Sequence, residues 1–193
     1  LNPEIYRAYR RLGWGLVFEL IDFRAFYFDV LPDFVGYIMI ASALSQLSSL
    51  HTVFIKAKWV AIGMIFVTLP HVLMASSVTF SNFGSLPLYL HIYSEALLAC
   101  HVLIVFWICQ GFAAIARAER QTDLLMTVIT RRNLYMGLAI AQLIFYPFLL
   151  NVEESWINLL LIFGVLQMIM EVLFIRLPFR FSQIKIKQID LRV

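Results

Sequence analysis

Charge is what this sequence has least of. Of its 193 residues, 14% are Asp, Glu, Lys or Arg, while 62% are hydrophobic. Soluble domains carry roughly 25% charged residues. One compact core cannot hide that much apolar surface, so lipid is the expected solvent. Cysteine is almost missing too. Cys100 and Cys109 lie in one apolar run, and nine residues of helix would hold them about 13 Å apart, beyond the reach of a disulfide. There is no CxxC, no zinc-knuckle spacing and no glycine-rich phosphate loop, so thiol redox chemistry and ATP hydrolysis have no support. Repeats, low-complexity stretches and polar linkers are absent as well. The chain therefore reads as one domain over residues 1–193, with 178–193 as a cytoplasmic basic tail.

What is present is a series of apolar runs. Phe34–Leu50, Trp59–Val78, Leu88–Ala116, Leu134–Leu150 and Trp156–Leu177 are each near the ~20 residues needed to cross a bilayer. A sixth run, Leu12–Phe28, contains Glu19, Asp22 and Arg24. It reads either as a spanning helix with its polar residues turned inward or as an interfacial helix. Charge placement favours spanning. The segments 79–87 and 151–155 carry no Lys or Arg, whereas basic residues flank the other ends of the runs. Basic loops stay in the cytoplasm. Only with six spans do Arg7, Arg10 and Arg11 join the other basic residues inside, leaving Arg24 alone outside. The net charge of +3 thus sets orientation and does not signal nucleic-acid binding. The expected fold is an all-α, six-helix transmembrane bundle with both termini cytoplasmic.

Two polar groups stand out against this background. Glu19, Asp22, Phe26 and Asp29 are spaced by three, four and three residues, which puts them on one face if the run is helical throughout. That acidic stripe would line an outward-open cavity or wet an interfacial helix. His91 and Glu95 are four apart, and His71 follows Pro70 in the preceding run. Two imidazoles and a carboxylate in the outer half could bind zinc or exchange protons, although the spacing matches no catalytic signature. The ligand-binding candidates are therefore Glu19, Asp22, His71, His91 and Glu95, and the metal candidates His71, His91 and Glu95. His101 and Glu171 lie deeper in the runs, and Glu171 is expected to pair with Arg176 or with a histidine. Gln110, Gln142 and Gln167 are expected to bond between helices. Small residues at Ala41, Ser45 and Ser49, and at Gly137 and Ala141, would let helices approach closely. The alternation around 184–188 has a strand period.

The stretch Ile21-Asp-Phe-Arg24, continuing through Phe28-Asp-Val-Leu-Pro-Asp-Phe-Val-Gly-Tyr37, resembles a segment of small multi-span proteins of Gram-positive bacteria. That resemblance implies a bacterial plasma-membrane location and no particular activity. The six-span, both-ends-inside layout is similar to that of the substrate-binding subunits of energy-coupling-factor vitamin transporters, which hold their solute near the outer face. The leading expectation is a membrane protein that binds or transports a small, cationic solute. An intramembrane metal enzyme and a non-catalytic partner subunit, docked on a membrane protein or a second copy, are the alternatives. No particular cofactor is indicated.

Overall fold

The structure, a computed structural model, describes residues 3–20, 24–25, 28–29, 33–73, 87–149 and 157–183 (for 24–25, 28–29, 70–73, 149, 157 and 160, the backbone alone). Six α-helices make up nearly all of it: α1 (Pro3–Leu20), α2 (Asp33–Leu47), α3 (Val53–Leu73), α4 (Leu88–Ala118), α5 (Thr122–Leu149) and α6 (Ile157–Phe181). Between α1 and α2 lie the two-residue strands β1 (Arg24–Ala25) and β2 (Phe28–Asp29), antiparallel, with Arg24 opposite Asp29. Each helix packs on the next in sequence, and α6 returns to pack on α1. The helices form a closed ring. The short links at 48–52 and 119–121 make their flanking helices antiparallel neighbours.

Helix α1 corrects one expectation. It stops at Leu20 and the chain turns into the β1–β2 ladder, so Leu12–Phe28 is not one continuous helix. The acidic stripe fails with it: Glu19 is helical, but Asp29 lies in a strand. The helix starts well before residue 12, because Ile5, Ala8, Tyr9, Leu12 and Leu16 recur at helical spacing and are all buried, while Glu4, Arg7 and Arg10 face outward. This is an amphipathic pattern, and the basic residues masked it as a flank. Asp22 lies outside the described residues.

Close approach of α1 and α2 rests on two glycines. A Cβ on Gly36 would stand 2.9 Å from the Gly15 carbonyl oxygen and 3.0 Å from the Glu19 amide nitrogen. Only hydrogen fits at that crossing. Arg11 adds a tie, donating to Ser42 Oγ at 2.8 Å. The small-residue series expected for α2 is interrupted: Ala41 is buried, but Ser45 is exposed and Ser49 lies beyond the helix end. On α5, Gly137 is exposed with open space around it, so it makes no close helix contact in this chain.

The basic end of the ring is filled by aromatic rings from four helices. Phe112 of α4 stacks on Phe181 of α6, with centroids 4.4 Å apart, and meets Phe54 of α3 at 6.0 Å and Tyr9 of α1 at 5.9 Å. All four side chains are fully buried. Phe179 and Phe181 belong to α6, so helix rather than tail continues through residue 181, and the alternating segment 184–188 lies outside the described residues. Arg131 fastens α5 to α6 near this end, donating to the Leu173 carbonyl at 2.6 Å.

Candidate functional site: a buried acidic cavity inside the ring

Above the aromatic plug the ring encloses a cavity of about 340 Å³ to which all six helices contribute lining residues. Its polar centre is His101 on α4. The two ring nitrogens of His101 face two carboxylates: Nδ1 is 3.2 Å from Glu19 Oε1, and Nε2 is 3.2 Å from Glu171 Oε1. The hydroxyl of Tyr37 on α2 donates to Glu19 Oε1 at 3.2 Å and sits 3.1 Å from His101 Nδ1. Asp33, one turn before Tyr37, also lines the cavity. Among the described residues no Lys or Arg lines it.

Helix geometry explains why these groups meet. His101 lies about 20 Å along α4 from Leu88, Glu171 about 21 Å along α6 from Ile157, and Tyr135 about 21 Å back along α5 from Leu149, at 1.5 Å per residue. Three helices thus bring them to one level. The shorter α1 and α2 end at the same height: Glu19 is in the last turn of α1 and Asp33 opens α2. The contact between Gly15 and Gly36 draws these two helices together one turn below Glu19.

Other polar atoms here are left unsatisfied. The Tyr135 hydroxyl lies against the Glu171 carboxylate and the Gln167 amide without a bond of hydrogen-bonding geometry to either. Both amide atoms of Gln167 are buried without a partner. Gln142 likewise leaves its Oε1 unpaired. Buried polar atoms without partners are uncommon and costly. In Tyr135 and Gln167 they face a cavity that can hold a ligand.

The structure brings together a different set from the one spacing picked out. Glu19 is in the cavity. His91 sits ten residues from His101 on the same helix, about 15 Å away by rise, where its Nδ1 meets the Tyr146 hydroxyl at 2.9 Å. Glu95, between them in sequence, is part-buried and does not line the cavity. The side chain of His71 is outside the described residues. Among the described residues, the one group able to hold a metal ion is Glu19, His101 and Glu171, whose candidate ligand atoms all lie within 4.8 Å of one another. Sequence offered a signal for it. His101 and Glu171 are ionisable groups deep within apolar runs, where such groups are functional by default. Of the two partners expected for Glu171, the structure provides His101.

Comparison with known protein families, with characterised proteins and with solved structures finds no match to this chain. Function must therefore be argued from the site.

Proposed function

We propose that this chain is a multi-pass membrane protein that binds a small cation in the ring cavity, as a step in moving that cation across the membrane. The carrying observation is the cavity lining: three carboxylates and one imidazole supplied by four helices, with no Lys or Arg among the described lining residues. Carboxylates held in a low-dielectric interior attract a cation far more strongly than they would in water. The aromatic plug below makes the cavity a dead end and not an open pore, which fits a binding protein better than a channel.

The membrane reading draws on two observations. Helix α4 and the segment Leu161–Phe181 of α6 are long and apolar enough to cross a membrane. Large apolar side chains also face outward on every helix from α3 to α6: Phe66 and Phe148 are each 67% exposed, with Ile92 at 61%, Leu134 at 58% and Ile162 at 54%. A continuous apolar exterior of this kind is unsuited to water. With the basic helix ends inside, the plug is cytoplasmic and the cavity opens outward. Six crossings, a bacterial plasma-membrane location and a lipid partner belong to this proposal. The metal-enzyme alternative built on His71, His91 and Glu95 gains no support, because His91 is engaged with Tyr146.

The test is equilibrium binding of small cations, organic amines and metal ions alike, to detergent-purified protein and to its Glu19→Gln variant. Saturable binding that weakens at least tenfold in the variant is expected. Absence of binding by every cation, or binding indifferent to Glu19→Gln, would overturn the proposal.

A further inference from the structure

We infer that the cation held at this site is a divalent first-row transition metal, ligated by Glu19 and by Nδ1 of His101, with Glu171 as the carboxylate that orients the imidazole from its far side. This inference rests on the cavity being a cation site and names which cation.

One metal ion can take only one nitrogen of a given imidazole. The two carboxylates at opposite edges of His101 must therefore have different roles. Metal-bound histidines characteristically give their second N–H to a carboxylate, which fixes the tautomer and the ring plane. The Nε2–Glu171 contact at 3.2 Å has that form. The Nδ1 edge has the form of the metal side. Glu19 keeps 19% of its side-chain surface accessible against 7% for Glu171, so it faces the open part of the cavity. The Tyr37 oxygen stands 3.1 Å from Nδ1 and 3.2 Å from Glu19 Oε1. Three donor atoms about 3 Å apart form a triangle such as three adjacent ligands make around an ion bound at ~2.1 Å. Asp33 lies one turn before Tyr37 and lines the same cavity.

Charge and ligand type narrow the ion. With Nδ1 on the metal, Nε2 keeps its proton and donates it to Glu171. The two carboxylates in contact with His101, the neutral imidazole and a divalent ion then sum to zero, which limits the charge left in a low-dielectric site. A monovalent ion would leave negative charge buried. Imidazole favours zinc, iron, nickel and copper over magnesium and calcium.

Because a metal on Nδ1 excludes a proton there, binding releases up to one proton per ion and weakens as pH falls. The titratable groups facing His101 are Glu19 from α1, Tyr37 and Asp33 from α2, Tyr135 from α5 and Glu171 from α6; among its described residues α3 adds none to the cavity lining. Tyr135 and Gln167, against Glu171 on its other side, are placed to hold that carboxylate in its orienting position.

The experiment uses full-length protein in detergent, stripped with chelator and titrated with zinc, then with cobalt as a spectroscopic probe. Calorimetry is run in two buffers of different ionisation enthalpy to count protons. The expected result is one ion per chain, up to one proton released, a cobalt absorption band of nitrogen–oxygen coordination, and no comparable affinity for magnesium. Glu19→Gln and His101→Gln should each lose at least 100-fold in zinc affinity. Glu171→Gln, which keeps an acceptor for Nε2–H, should lose 10- to 100-fold and retain the cobalt band, as outer-shell changes do. Tyr146→Phe, remote from the cavity, should bind normally. Thermal melts check that each variant is folded, and if His101→Gln is not, the Glu19 and Glu171 pair decides the question. Glu19-dependent binding of an organic amine with no zinc or cobalt binding overturns the metal inference and leaves the cation cavity standing. No binding of either class overturns both. Zinc binding that Glu171→Gln abolishes as completely as Glu19→Gln overturns the assignment of Glu171 as the orienting group.

Discussion

Replacing Gly36 by alanine sets two known effects against each other. In an isolated helix the change is favourable by about 1 kcal/mol, because glycine is the poorer helix former. Here the new Cβ would meet the Gly15 carbonyl oxygen at 2.9 Å and the Glu19 amide nitrogen at 3.0 Å. Both are backbone atoms inside a neighbouring helix, so no rotamer change relieves them. Ordinary contact begins near 3.4 Å, and α1 and α2 must part by about half an ångström. A gap of that size forfeits roughly a quarter of the dispersion energy along a contact, and overpacking of this kind costs about 1–3 kcal/mol. The net expectation is destabilisation of up to about 2 kcal/mol after the propensity gain. The separation also moves Glu19 away from His101, because Glu19 is the residue touched. Gly137→Ala is the matched control: it lies on a helix too, but nothing stands within 4 Å of its added Cβ, so only the propensity gain remains. Thermal unfolding in detergent, read by circular dichroism, should show Gly36→Ala melting below wild type and Gly137→Ala at or above it. If Gly36→Ala melts as high as Gly137→Ala, the close approach of α1 and α2 is not as described.

Phe112→Ala empties the centre of the aromatic plug and should cost about 3–5 kcal/mol. Cys109, buried and one turn away on α4, should then react with maleimide in a Cys100→Ser background, having been inert before; unchanged inertness would mean that the plug does not close this end. Tyr37→Phe removes the donor to Glu19 Oε1 and should destabilise the fold by about 1–3 kcal/mol, as expected for a buried group left short of a partner. A melting temperature equal to wild type would show the hydroxyl to be idle. Single cysteines at Ser81 and Glu154 should label from outside intact cells, while cysteines at Arg7 and Lys185 should not. External labelling at Arg7 would exclude the six-crossing arrangement.

Sequence legibility followed the physics of each feature. The apolar runs gave the positions of α2, α4 and α6 closely, because twenty apolar residues in a row leave little freedom, but α3 begins six residues and α5 twelve residues before its run, at Val53 and Thr122. Helix α1 was misread at both ends: Arg7, Arg10 and Arg11 looked like a flank, yet all three are helical, with Arg7 and Arg10 on the outward face and Arg11 tied to Ser42 of α2. Ala25 and Phe28 looked like continuation of an apolar helix, but they pair in a two-residue ladder. The site was half legible. Glu19 was visible as a charge inside an apolar run, as were His101 and Glu171, but their convergence was not. They are separated by 82 and 70 residues, and only the closure of α6 onto α1 brings them together. Local spacing instead promoted His91 and Glu95, which share a helix without sharing a site. The partnership of Gly15 with Gly36 was invisible for the same reason: each is an isolated glycine until the two helices cross.

The buried triad is better explained by function than by stability. Taking two carboxylates and an imidazole out of water carries a penalty of several kcal/mol per ion, and an ion pair seldom recovers more than that. Well-packed apolar side chains of similar volume would hold three helices together at least as well. The surrounding sequence supplies such side chains freely: Phe54, Phe112 and Phe181 seal the basic end of the same ring beside Tyr9, whose buried hydroxyl also lacks a partner. Where this fold needs only cohesion, it uses aromatic rings. Where it places Glu19, His101 and Glu171, it also leaves the Tyr135 hydroxyl and the Gln167 amide without partners and an accessible volume of about 340 Å³ beside them. A structural lock would fill its space. This cluster leaves space beside Glu19, Asp33 and Glu171, and a cation is the ligand whose charge those carboxylates would offset.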